Sequence, residues 1–154
     1  DWWEEHKIGS LTFACTPTQH FSGRGLFDRN ETLWCSWAVI GEEKRFWFAG
    51  DTGYFSKFKN IGIKYGPFDL SAIPIGAYDP RWFMKPMHVN PDEAVQIHLD
   101  VNSKMTIGIH WGTFILTDEP IEEPRKKLRE SIINRELTEK EFITMNHGQI
   151  LVVE

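Results

Sequence analysis

The chain is short of cysteine, with two, Cys15 and Cys35, among 154 residues. Two cannot build a disulfide framework and their spacing matches no cysteine metal motif, so they read as buried free thiols of a reducing compartment. No apolar run approaches the roughly 20 residues that a membrane-spanning helix needs. A secretory leader is missing too: the chain opens on Asp1-Trp2-Trp3-Glu4-Glu5, which reads as the middle of a domain. Positive charge is scarce, with 17 Lys and Arg against 22 Asp and Glu for a net charge of −5. That balance argues against a nucleic-acid surface, which is usually basic. No repeat, low-complexity tract or linker divides the sequence. What these absences leave is a soluble globular chain of single-domain size, large enough to bury a core.

Aromatic residues depart from this ordinary composition, with 7 Trp, 11 Phe and 3 Tyr. Most belong in a core, where aromatics bury large areas. A minority is left for an apolar pocket or a surface that touches lipid. Met84, Met87 and the Trp82-Phe83 pair are the best placed to present soft apolar surface to acyl chains.

Pattern and punctuation divide the chain into alternating strands and helices. Strands are expected over residues 7–16, 33–40, 45–49, 69–75, 105–109, 142–145 and 149–153, with 33–40 and 45–49 forming a hairpin. Helices are expected over 54–64, from Asn90 to about Val101, and over 122–136. Asn90-Pro91-Asp92-Glu93 supplies an N-cap oxygen, a proline at the first helical position and acids that complement the dipole. Ala94, Val95, Ile97 and Leu99 are expected to give the second helix its apolar surface, and Leu128, Ile132 and Ile133 to face inward from the third. The alternation makes the fold α/β.

Three apolar runs end in a residue able to hold a metal: Thr16-Pro17-Thr18-Gln19-His20, Phe48-Ala49-Gly50-Asp51-Thr52-Gly53 and Ile107-Gly108-Ile109-His110-Trp111-Gly112. A lone His or Asp at a strand end is usually a turn residue or a satisfied polar group. Three such segments, each followed by a glycine-bearing turn, point instead to a site built at the rim of a sheet. Imidazole and carboxylate are zinc ligands, and a catalytic zinc keeps a position open for water. His6, His98 and His147 match no such segment and read as structural.

The wording around the trio is more specific than its spacing. Gly23-Arg24-Gly25-Leu26-Phe27-Asp28, Gly50-Asp51-Thr52-Gly53, Ala77-Tyr78-Asp79-Pro80-Arg81-Trp82-Phe83-Met84, His88-Val89-Asn90-Pro91-Asp92-Glu93-Ala94 and His110-Trp111-Gly112-Thr113-Phe114 occur in order. Across nearly its whole length the chain resembles the C-terminal half of the N-acyl-phosphatidylethanolamine-hydrolysing phospholipase D family, of the metallo-β-lactamase fold. The resemblance implies half of an αββα sandwich, residues 1–154 being a partial domain. The family's upstream His-x-His-x-Asp-His segment is absent.

By position, His20 is similar to the third His on the first of two zinc ions. Asp51 corresponds to the carboxylate that bridges both, and His110 to the last ligand of the second. His88 falls at the mouth of the site, where it hydrogen-bonds phosphate or assists proton transfer. Tyr78, Arg81 and Trp82 fall in a loop that contacts substrate or orients ligands. The implied reaction is hydrolysis of an N-acylated phosphatidylethanolamine to an N-acylethanolamine and phosphatidic acid. The implied partners are that phospholipid, a membrane surface met peripherally from the cytosolic side, the missing N-terminal half and, as an option, a second copy in a homodimer. Three ligands shared between two ions leave each under-coordinated, so the isolated chain is expected to be inactive. The alternatives are another hydrolase of this fold (a sugar lactonase or phosphoesterase) and a metal-free binding module.

Overall fold

Gly9 breaks the first expected strand in two. Its φ of +60° lies in the left-handed region that glycine enters without a Cβ clash, and Ile8 pairs with Leu11 across the Gly9-Ser10 turn. Residues 7–16 therefore form the turn and most of a hairpin, β1 (Glu5–Ile8) and β2 (Leu11–Thr16), rather than one strand. β2 pairs antiparallel with β3 (Ser36–Ile40). The latter starts after the expected Leu33, and the Trp34 carbonyl is taken by the Trp2 indole at 2.7 Å. β4 (Arg45–Phe48) completes the expected hairpin with β3. The structure, a computed structural model, describes residues 1–153.

Beyond β4 the chain crosses over through helices, so the pairing turns parallel. The elements are α1 (Phe58–Tyr65), β5 (Leu70–Pro74), α2 (Arg81–Met84), α3 (Pro91–Asp100), β6 (Thr106–Ile109), α4 (Glu123–Asn134) and β7 (Phe142–Thr144). All seven strands lie in one sheet in sequence order, with β4 to β7 parallel. The short α2 lies in a stretch that carried no helix signal. α3 begins with the expected cap: the Asn90 side chain accepts from the Glu93 N–H and the Glu93 carboxylate accepts from the Asn90 N–H, at 2.9 and 3.1 Å.

Period-two alternation gives the sheet two unlike faces. Ala14, Ala38, Trp47, Ile73 and Phe142 are buried in one core with Phe58 and Ile61 of α1, Val95 and Ile97 of α3, and Leu128 and Ile132 of α4. Each fully buried Val, Leu, Ile or Phe side chain among these stabilises by roughly 1.5–3 kcal/mol. Leu99 and Ile133, expected to face inward, are exposed instead. Their short helices bury narrower stripes than the apolar count suggests.

The alternate residues form a second apolar row, paired from strand to strand: Cys15, Trp37, Phe48, Ala72, Ile107 and Ile143. Trp37 and Phe48 in this row remain 43% and 42% exposed. Residues 149–153, expected as a closing strand, pair with no strand among the described residues. Alternating apolar residues supply strand propensity, but a strand also needs a partner edge. Val153 instead joins Leu11, Val39, Phe46 and Leu70 around a cavity of about 320 Å³.

Candidate metal centre

Strand direction gathers the chemistry at one rim. β2 ends where β3 begins, β4 ends beside that point, and β5 and β6 run parallel to β4. The segments after β2, β4, β5 and β6 thus leave the same edge of the sheet. They carry His20, Asp51, His88 and His110 respectively.

His20 and Asp51 are joined by backbone. The Gly53 N–H donates to the Gln19 carbonyl at 2.8 Å, and the Gln19 N–H donates to the Thr52 hydroxyl at 2.9 Å. A Cβ on Gly53 would stand 2.5 Å from the Pro86 carbonyl oxygen. Glycine is therefore what lets the Asp51 loop touch the segment leading to His88, where the Val89 N–H donates to the Thr52 carbonyl at 2.8 Å.

The His20 tautomer follows from one contact. Nδ1 lies 3.0 Å from the Phe21 carbonyl, which only accepts, so Nδ1 carries the proton. That leaves Nε2 as a bare lone pair, and it is buried with no hydrogen-bond partner. A second nitrogen, Nδ1 of His88, is buried and unpartnered in the same way. Such orphaned atoms cost free energy unless something binds them.

His88 lies between the other two histidines, its ring centroid 5.3 Å from each of His20 and His110. Burial pulls its pKa down to about 4, with His110 and His20 adding to the effect and Asp51 opposing it. The ring is therefore neutral at pH 7, as a ligand or proton acceptor must be. One ligand atom from each of His20, Asp51 and His88 lies within 4.8 Å of the others. His110 reaches the same carboxylate, with Nε2 3.6 Å from Oδ1 of Asp51. Ligands at about 2.1 Å around a tetrahedral ion stand about 3.4 Å apart, so small side-chain movements would close this set on a cation. Nitrogen and carboxylate donors together fit a borderline divalent ion.

The other expected site residues divide. Trp82 is 84% exposed on α2, its ring tilted at 59° to that of Phe83 with centroids 5.7 Å apart. Arg81 is turned inward: its guanidinium donates to the His88 carbonyl at 2.8 Å and to the Glu93 carboxylate at 2.7 Å. Tyr78 is buried and its hydroxyl donates to Glu123 of α4 at 2.9 Å; burial raises its pKa. Neither Arg81 nor Tyr78 therefore offers a free group to a ligand here, and both hold the loop that carries His88.

Sequence reading missed Glu119 altogether. Buried in the loop after β6, its carboxylate accepts from the N–H groups of Ala77, Tyr78 and Asp79 at 2.6, 3.2 and 3.0 Å. Nothing in Thr117-Asp118-Glu119-Pro120 sets this acid apart from its neighbours. Two residues beside it are strained: Ala77 and His110 have φ of +61° and +58°, each costing about 1–2 kcal/mol for a residue with a Cβ. Gly76 sits between them, where a Cβ would be 2.2 Å from the His110 carbonyl oxygen.

Comparison with known proteins agrees with this fold. Residues 1–111 match the family described as the beta-lactamase superfamily domain. The chain is 55% identical over 144 residues to N-acyl-phosphatidylethanolamine-hydrolyzing phospholipase D 1 of Caenorhabditis elegans, covering 92% of this chain and 40% of that protein. It is 39% identical over 134 residues to the mitochondrial enzyme of that name from Saccharomyces cerevisiae, covering 82% of this chain and 29% of the relative. Outer membrane protein RomA of Klebsiella pneumoniae is 40% identical over 102 residues, which cover 66% of this chain and 75% of RomA. The chain thus spans well under half of the two phospholipase D relatives. Among solved structures, a metallo hydrolase from Ignicoccus hospitalis superposes with a TM-score of 0.68 at 20% identity, over 97% of this chain and 57% of that one. An isothiocyanate hydrolase from Delia radicum gut bacteria gives 0.67 at 15%, over 94% and 55%. At such identities these two speak for the fold alone.

Proposed function

The chain belongs to the beta-lactamase superfamily, and from that premise we propose that it is the later part of a zinc-dependent phosphodiesterase acting on N-acylated phosphatidylethanolamine. One observation carries the reading. His20, Asp51, His88 and His110 converge at one rim, and two of their nitrogens are buried without partners. The substrate class comes from the names of the relatives in worm and yeast.

His20 and His110 would each hold an ion through a ring nitrogen, and the Asp51 carboxylate would hold metal beside them. The remaining ligands would come from residues outside this chain. Zinc ions in such a centre supply Lewis acidity to a phosphodiester and acidify water. His88, neutral and central, orients the phosphate or takes up a proton within the site. Arg81 and Tyr78 act behind it by fixing its loop. Together these groups would cleave the bond that releases an N-acylethanolamine and leaves phosphatidic acid.

Three of the loops leaving this rim end in exposed apolar side chains, which favours a lipid surface over a small soluble substrate. Leu26 and Phe27 are 92% and 94% exposed at the crest of a turn closed by Asp28, whose carboxylate accepts from the Arg24 and Gly25 N–H groups. Trp82 and Phe83 project from α2, and Phe114, Ile115 and Leu116 from the loop after β6. No helix among the described residues is long and apolar enough to cross a membrane. Contact would then be peripheral, through these tips.

The test compares the chain alone with the full-length protein that carries it, using long-chain N-acyl-phosphatidylethanolamine in vesicles and a water-soluble lactone. The expected result is lipid cleavage by the full-length protein only, with the lactone untouched. Faster turnover of the lactone, or intact lipid, would overturn the proposal.

A further inference from the structure

We infer that Glu119 is the positioning residue of this centre, a clasp that holds the loop after β5 against the loop after β6 and so fixes His110 and His88 relative to Asp51. The inference rests on the metal-centre reading above. It starts from a buried carboxylate with no cation among its hydrogen-bond partners, only three consecutive backbone N–H groups. An array of N–H groups is a natural anion site, and here the anion is supplied by the next loop of the same chain.

Two consequences follow from where those N–H groups lie. First, they belong to Ala77, Tyr78 and Asp79, next to Gly76, whose backbone packs on the His110 carbonyl. The Ile75 N–H donates to the Ile109 carbonyl at 3.0 Å, one residue before His110. The left-handed turn at Ala77 and that at His110 thus lie close together, and Glu119 ties the chain that continues from His110 back to the Ala77 turn. Second, the same loop continues to Arg81. Its guanidinium holds the Tyr78 carbonyl at 3.4 Å and the His88 carbonyl at 2.8 Å. A carboxylate at position 119 therefore sets two of the four converging side chains through backbone, without touching a ligand atom itself. Groups of this kind, one step removed from the ligands, typically change metal affinity 10–100-fold when replaced.

Glutamine is the sharp substitution. In Glu119→Gln one oxygen still accepts from Ala77 and Tyr78, while the amide nitrogen meets the Asp79 N–H donor to donor. Leu128→Ala serves as a control, since it opens the core under α4 and lies outside the site. Two measurements are made on the 154-residue chain. Hydrogen exchange without metal should show faster exchange in Glu119→Gln at Ala77 to Asp79 and at Ile75, together with shifted His110 ring resonances. Zinc titration against a chelator should show affinity at least about tenfold weaker in Glu119→Gln, and within about twofold of wild type in Leu128→Ala. Equal weakening in both variants would make Glu119 merely structural, and unchanged exchange at Ile75 with unshifted His110 ring resonances would remove the clasp; either result overturns the inference. If wild type takes up no zinc, the metal-centre reading fails, and the metal-free exchange and His110 resonances still decide whether Glu119 couples the loops.

Discussion

The two walls of the candidate centre are built by different means. On the first, His20 and Asp51 are joined by backbone bonds and one buried hydroxyl, Gly53 to Gln19 and Gln19 to Thr52. On the second, His88 and His110 are held by charged side chains, Arg81 with Glu93 and Glu119 with three N–H groups. A wall of neighbouring backbone has few ways to move. A wall of side chains, with Glu119 reaching back 42, 41 and 40 positions to its three N–H partners, depends on every partner being in place. The second wall also carries the strain, with Ala77 and His110 both at positive φ. The difference leaves one side of the site held by paired backbone and the other by side chains that clamp strained turns.

The largest effect should come from forcing the second wall apart at its closest approach. Gly76→Ala would put a Cβ 2.2 Å from the His110 carbonyl oxygen, and overpacking of that kind costs about 3 kcal/mol. Urea unfolding should show that loss, with His110 displaced. Retained stability would mean that the two strained turns can slide past each other. The first wall is tested by Thr52→Val, which keeps the shape but leaves the partly buried Gln19 N–H without its acceptor. A loss of about 2 kcal/mol is expected, with zinc affinity falling through His20.

Arg81→Ala should cost less, about 1.5 kcal/mol, because its pair with Glu93 is partly exposed, at 27% and 20%. A double-mutant cycle with Glu93→Ala measures the coupling, and a value near zero would deny Arg81 its place in the wall. The smallest effect gives a baseline away from both walls. His98 is buried on α3, its Nδ1 2.9 Å from the Thr106 hydroxyl, and burial lowers its pKa. A histidine depressed in the folded state binds its proton more readily when unfolded, so its contribution is present above the usual histidine pKa of about 6.5. It is lost as pH falls toward the lowered folded value. Stability of the metal-free chain measured against pH should therefore fall less steeply just below about pH 6.5 in His98→Asn than in wild type.

How much of this was legible in the sequence follows the same division. His20, Asp51 and His110 stood out because each ends an apolar run, and a strand end is a local signal. The Asn90 cap was legible for the same reason, since its partner Glu93 lies within one turn. Glu119 was not, because its three partners lie in another loop and its own segment holds several acids. Tyr78 and Arg81 showed their chemistry in the sequence but not their direction, and both turn inward. The strand errors have a local cause at one end and a distant one at the other. Gly9 splits residues 7–16 through its own φ, whereas 149–153 alternates like a strand but finds no edge to pair with among the described residues. The second apolar row stays partly exposed at Trp37 and Phe48, which accords with a chain spanning 40% of its worm relative.

The most direct test of the account is zinc uptake by the metal-free chain, followed by chelator competition in wild type, His20→Ala and Asp51→Asn. The proposed centre predicts that wild type binds zinc but falls short of two ions per chain, and that both variants lose that binding. Uptake indifferent to His20 and Asp51, or two tightly held ions in an active isolated chain, would contradict it.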